Sequence, residues 1–102
     1  MQKKVLKIHP SDNVAVALVD LGVGEFISLN GTDLEMKSKV KAKHKFALQT
    51  IGIEEQVIMY GVLVGKATEL IKKGEILTTN NVVHKSQKVT KKQKVLIGLY
   101  PK

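Results

Sequence analysis

Among the side chains able to move a proton or bind an ion, His44 has the most suggestive neighbours, Lys43 and Lys45. An imidazole titrates near neutral pH and serves as a proton-transfer group or metal ligand. Flanking ammonium groups attract an anionic substrate. The plainer alternative is a half-buried strand histidine bonded to a carbonyl. His9 stands beside Pro10 at the expected end of a strand, which is a structural place, and His84 precedes a polar stretch where solvation is expected. Three scattered histidines without ligand spacing, and no cysteine, give no metal site within this chain alone. Asp12 and Asn13 are able to contact a substrate, yet such short oxygen-bearing side chains also make turns by bonding nearby amides. Tyr60 offers a phenol to a site or packs as a β-core tyrosine. No carboxylate pair, Ser-His-Asp order or cofactor motif stands out, and Gly22 and Gly24 are not followed by the strand-to-helix signature of a phosphate loop. These residues alone do not make a complete active site.

The elements that must position them read as short strands. With four aromatic residues and 43% hydrophobic content, the core has to be built from Val, Ile and Leu, which favour extended chain. Val5 to His9 forms one strand, ended by Pro10, and Ser11-Asp12-Asn13 is turn chemistry. Val14 to Asp20 alternates large and small residues as a strand does; a helix from Ser11 is its rival. Phe26 to Leu29 and Thr32 to Met36 flank Asn30-Gly31, the pair that suits a two-residue hairpin turn. Lys37 to Lys45 places every second residue as lysine, predicting a strand with charge in solvent and His44 on the apolar side, continuing to Ile51. Val57 to Val64 is a further apolar stretch. Ala67, Leu70 and Ile71 within 66–73 are spaced for one or two helical turns stopped by Gly74. Glu75 to Leu77 and Val82-Val83 complete the set, and no internal repeat is apparent. The expectation is a mostly β domain over 1–84 with one short helix and one Asn-Gly hairpin. Residues 85–102 read as a lysine-rich linker ending in a short apolar segment, Val95 to Tyr100, which needs an edge strand or a partner.

At 102 residues the chain is a single domain's length, and its formal net charge is +8. Every basic residue is lysine. Residues 37–45 carry +5 and residues 85–102 carry +6, so the remainder sums to −3. Two basic appendages on a nearly neutral domain differ from a uniformly basic protein. Lysines neutralise phosphates non-specifically, but the absence of arginine and of an aromatic stripe argues against a nucleic-acid reader. Val14 to Val19, the longest apolar stretch, is too short to span a bilayer, and no apolar leader core follows Met1-Gln2-Lys3-Lys4. A cytoplasmic setting is expected.

Several spaced segments are similar to a known family. Ile8-His9-Pro10-Ser11-Asp12-Asn13-Val14-Ala15-Val16-Ala17-Leu18 resembles the opening of the small N-terminal domain of altronate and galactarate dehydratases. The likeness continues through His44-Lys45-Phe46-Ala47-Leu48, Tyr60-Gly61 and Gly65-Lys66-Ala67. The stretch from Ile71 through Gly74-Glu75 to Asn81-Val82 resembles the wider SAF, or antifreeze-like, group. The resemblance implies a β-clip fold. There are departures. Altronate-type members carry a His-x-His-Asn turn where this chain has Thr78-Thr79-Asn80-Asn81, while galactarate-type members also lack that histidine pair. Lys43 replaces a glycine that usually precedes the His-Lys pair, and Leu63 replaces a proline of the altronate type.

The resemblance also implies a role: the small, N-terminal-domain subunit of a sugar-acid or hydroxy-acid dehydratase. It would form or cap the substrate site of a separate large catalytic subunit that holds Fe²⁺ or Mn²⁺. Dehydration of a 2,3-dihydroxy acid needs a base for the proton α to the carboxylate and an acid or metal at the leaving 3-hydroxyl. In that frame His44 is the candidate catalytic residue, and Lys43, Lys45, Asp12, Asn13 and Tyr60 are candidate substrate contacts. The alternative is a non-catalytic module binding acidic sugars or other small anions. Assembly of the chain with copies of itself is left open.

Overall fold

A computed structural model describes residues 3–29 and 31–84. Among the described residues eight short strands run in chain order: β1 Val5–Leu6, β2 Val14–Ala17, β3 Phe26–Leu29, β4 Thr32–Glu35, β5 Lys45–Ala47, β6 Gln56–Met59, β7 Val62–Ala67 and β8 Val82–His84. All pairings are antiparallel, in three small sheets ordered β1-β2-β5, β3-β4 and β6-β7-β8. The mostly β expectation therefore holds. The short helix does not: β7 runs to Ala67, and beyond it Leu70 is exposed and Ile71 bridges Ile51. Weak helical spacing over one turn loses to a bridge that fills the core.

The β3–β4 hairpin pairs Leu29 with Thr32, leaving two loop positions, and Gly31 takes φ 80°. Asn30 lies outside the described residues. Val57 to Val64 is a second hairpin, turned at Tyr60-Gly61, and its register shifts after Val57 so that Val64 is unpaired on β7. The lysine run is not one strand. Within 37–44 only Val40 bridges, to Leu21, and residues 41–44 form a turn that leaves His44 exposed. The alternation failed because Val40 is the one large apolar residue in that run before Phe46, so only it has a core place to fill.

Behind these elements lies a structural repeat that the sequence reading did not find. The bridge Leu21–Val40 recurs as Ile51–Ile71, and the hairpin from Phe26 recurs from Gln56. Their hydrogen bonds match too. Gly24 N–H bonds Met36 O as Glu54 N–H bonds Ala67 O; Ala17 N–H bonds His44 O as Ala47 N–H bonds Glu75 O. The copies are thirty residues apart until Val64 inserts one residue. The core divides likewise. One cluster gathers Ala17, Leu21, Ile27, Met36 and Val40, and the other gathers their counterparts Ala47, Ile51, Val57, Ala67 and Ile71. Strand β2 joins them, giving Val14 to the second cluster and Ala15 and Ala17 to the first. Few identical residues survive between the copies, which is why the period escapes inspection of the sequence.

Candidate functional site

The turn before β2 is built around Asp12, the one buried polar residue among those described. Its carboxylate accepts the N–H groups of His9 (3.0 Å), Tyr60 (3.1 Å) and Gly61 (2.8 Å). Burial pushes this carboxyl up, but the donors from Gly61, Tyr60 and His9, with the nearby His9 ring, outweigh it and hold the pKa below 3.8. Asn13 acts as a strand surrogate: Oδ1 accepts from Ile58 N–H at 2.8 Å and Nδ2 donates to Gln56 O at 2.9 Å. Both side chains thus fasten the His9–Asn13 turn to the β6–β7 hairpin. The His9 ring accepts from Ser11 N–H through Nδ1 at 3.1 Å and lies so close to Gly61 that a Cβ there would come within 2.8 Å of the ring.

Among the described residues His44 closes one of four turns with a left-handed third residue; His9–Asp12 and Thr78–Asn81 close the same pair of hydrogen bonds without it. In Gly22–Glu25, Gly52–Glu55 and Lys72–Glu75 the last N–H bonds the first carbonyl, and the last carboxylate turns back to accept the first N–H. Those carboxylate contacts measure 3.0, 2.6 and 2.7 Å. Lys41–His44 repeats the backbone, with His44 N–H bonding Lys41 O at 3.0 Å, but puts an imidazole where the others put glutamate. Here the carboxylate comes from another segment and meets the next amide, with Asp20 Oδ1 accepting Ala42 N–H at 2.9 Å. The third residue of each turn has positive φ: Gly24 85°, Lys43 77°, Glu54 73° and Gly74 89°. Lysine in that left-handed region is strained, and glycine is the relaxed choice.

Lys45, next to His44, opens onto a cleft of about 450 Å³ between the β2–β5 and β6–β7–β8 sheets. Its floor is apolar, with Val57, Met59 and Val82, while Tyr60, Thr78 and His84 bring polar groups. Tyr60 is no core tyrosine: it sits 57% exposed on the hairpin turn with φ 60°. Thr78 opens the turn that precedes β8, closed by Asn81 N–H on Thr78 O at 3.3 Å. Asn81 clamps that turn, accepting Thr78 N–H at 2.8 Å and donating to Ile76 O at 3.0 Å. His84, at the end of β8, lines the same cleft. The structure therefore gathers Lys45 and Tyr60, places Lys43 and His44 on the adjoining turn, and holds Asp12 and Asn13 in backbone contacts. Thr78 and His84 joined the site unannounced, because only the fold pairs β8 with β7 and so sets it beside the Tyr60 hairpin. A larger hollow of about 670 Å³ lies elsewhere, between β1 and β3, lined by Lys3, Lys4, Lys7 and exposed Phe26.

No three of His, Asp and Glu converge as a ligand set among the described residues, so these side chains do not fit a metal ion and no chemical step is derived through one. No described helix is long and apolar enough to cross a membrane.

Comparison with known proteins agrees with this architecture. The family model for the altronate/galactarate dehydratase SAF domain matches residues 3–96. An altronate dehydratase of Bacillus subtilis (strain 168) is 38% identical over 79 residues, covering 78% of this chain and 16% of that protein. One of Escherichia coli (strain K12) is 40% identical over 76 residues, covering 74% of this chain and 15% of that protein. The chain spans about a sixth of the length of these relatives. On the strength of a match that runs through both copies of the repeat, the chain belongs to the altronate/galactarate dehydratase SAF-domain family.

Proposed function

We propose that this chain is the small component of an altronate dehydratase-like hydro-lyase and helps to form or cap the sugar-acid site of a separate large catalytic subunit. The observation that carries this reading is the meeting of Lys45, Tyr60, Thr78 and His84 in one cleft beside the His44 turn, within a family named for such dehydratases. Elimination of water from a hydroxy acid begins with loss of the proton α to the carboxylate. Exposed His44 is suited to take or return a proton, and Lys43 and Lys45 to draw in the carboxylate. The catalytic metal, Fe²⁺ or Mn²⁺, is assigned to the partner.

The test mixes the chain with its large subunit and candidate aldonates and aldarates. The expected outcome is faster dehydration than with the large subunit alone, and loss of that gain in His44→Ala. No gain over the large subunit sinks the proposal.

A second reading has its own support. Lys41, Lys43 and Lys45 have no carboxylate partner among the described residues, as an anion-binding module without catalysis requires. Binding of acidic sugars to the chain alone, with no effect on any dehydratase, favours it.

A further inference from the structure

We propose that the hollow between β1 and β3 is a docking groove for an acidic peptide segment of the large subunit, which seats on the first hairpin as Asp12 and Asn13 seat on the second. The inference deepens the functional reading above and rests on it for the identity of the partner as that subunit.

The duplicated fold carries its own example of such a seat. Strand β1 lies on β2 as β2 lies on β5: Val5 pairs with Ala17 as Val14 pairs with Ala47, and Leu18 N–H bonds Lys4 O as Leu48 N–H bonds Asn13 O. Lys3 and Lys4 therefore hold the places that Asp12 and Asn13 hold in the second copy. There the Asn13 side chain spans the outer edge of β6, accepting Ile58 N–H and donating to Gln56 O, while Asp12 accepts the Tyr60 and Gly61 amides of the hairpin turn. A lysine ammonium has donors and no acceptor, so Lys3 and Lys4 are unable to receive a backbone N–H as that pair does. Lys4 turns instead to Glu25, at 2.9 Å. Strands β1 and β3 stand apart, and a hollow of about 670 Å³ takes the place of the clamp.

Its shape and chemistry suit a peptide. Each wall is a strand with a partner on one side only, β2 for β1 and β4 for β3. An edge strand is a template for a further strand, and a segment laid along β3 extends its sheet by backbone pairing. Buried Val5 and Ile27 form the floor, and Phe26, 65% exposed, offers an aromatic surface of the kind enriched at interfaces. Lys3, Lys4 and Lys7 line the hollow, and none of its described lining residues is acidic. That charge selects an acidic segment, and the second copy names its side chains, a carboxylate and a carboxamide side by side. The groove shares no lining residue with the cleft of Lys45 and Tyr60, so a segment docked here leaves that cleft to the substrate.

The experiment titrates the ¹⁵N-labelled chain with a blocked peptide copying Ile8 to Val16 of this chain, and with the same peptide carrying lysine in place of its aspartate. The expected result is a saturable shift of the Phe26 to Ser28 amides with the first peptide and binding about tenfold or more weaker with the second, as loss of a charge-assisted hydrogen bond implies. Phe26→Ser combined with Lys7→Glu is expected to lose the response while its β6 and β7 amides keep their positions. No shift along β3, equal affinity for the two peptides, or a response at β6 and β7 alone overturns the proposal. So does a β3 shift that follows chain concentration without peptide, which puts a second copy in the groove. In the mixture with the large subunit, the parent chain is expected to co-purify and the double variant not to. Co-purification and an undiminished gain in dehydration by the double variant overturn the groove and leave the functional reading standing. Peptide binding at β3 with no gain in dehydration by the parent chain supports the groove and sinks that reading.

Discussion

At the scale of single residues, two positions combine an unusual state with a measurable consequence. Lys43 occupies left-handed backbone at φ 77°. Lys43→Gly relieves about 1–2 kcal/mol of strain but adds about 0.5–1 kcal/mol of unfolded-chain freedom. The expected net is a stabilisation of about 0.5 kcal/mol, read as a higher urea midpoint with an unchanged slope. Asp12 is the opposite case, a buried carboxylate that three backbone donors need. Asp12→Ala leaves those donors without their acceptor and is expected to destabilise by about 3 kcal/mol. The sign of its pH dependence follows from its depressed pKa. The folded carboxyl titrates below the unfolded one, so its contribution is complete above the ordinary value of 3.8 and is lost as pH falls through the lower folded value. Acid unfolding followed by circular dichroism in Asp12→Asn and the parent chain checks this: the variant is expected to lose less stability over that range. Asp12 and Asn13 were readable as turn-formers from their chemistry. Their partners, Tyr60, Gly61, Gln56 and Ile58, lie more than forty positions away and were not readable from local spacing.

The element scale is governed by the capped turn. Glu55→Ala and Glu75→Ala each remove one carboxylate-to-amide bond and are expected to destabilise by about 0.5–1.5 kcal/mol. The contrasting expectation is that His44→Ala leaves stability nearly unchanged, because His44 caps nothing. Chemical denaturation of the three variants distinguishes a cap from a bystander. Glu25 is held below its ordinary 4.5 by Gly22 N–H first and by Lys4 next, so its cap too weakens in acid as the carboxylate protonates. The Asn-Gly hairpin was legible because its signal is local, whereas the first strand ends at Leu6, short of the His9-Pro10 stop expected from the sequence. The strand foreseen over the lysine run and the helix foreseen in 66–73 were not there. In both places a single apolar residue, Val40 or Ile71, is pulled into a bridge while its neighbours face solvent. Periodicity reads faces of regular elements and is blind to isolated bridges.

Over the whole molecule, the two core clusters share β2 and neighbouring residues of β5, Phe46 in one and Ala47 in the other. Neither can open without exposing part of the other, so the two copies are expected to unfold in one transition. Val40→Ala and Ile71→Ala, at equivalent fully buried sites in different clusters, should each lower one common calorimetric midpoint, with Ile71→Ala costing about 2–5 kcal/mol of stability. Two separated transitions in either variant would show independent halves. Fold class and family were legible at this scale, since strand-forming composition and a few ordered motifs suffice for both. The thirty-residue duplication was not, because its copies share hydrogen bonds far more than residues. For the same reason His44 looked like one histidine in a basic strand and not like the exception in a set of four.

The duplication also gives the molecule its own reference standard. The amides of β6 experience the same temperature, salt and pH as those of β3 in every sample, and β6 already carries its Asn13 clamp. A bulk-solvent effect moves both sets of signals together; an event at one address moves one. The duplicated backbone thus supplies an internal control for the hairpin whose partner is in question.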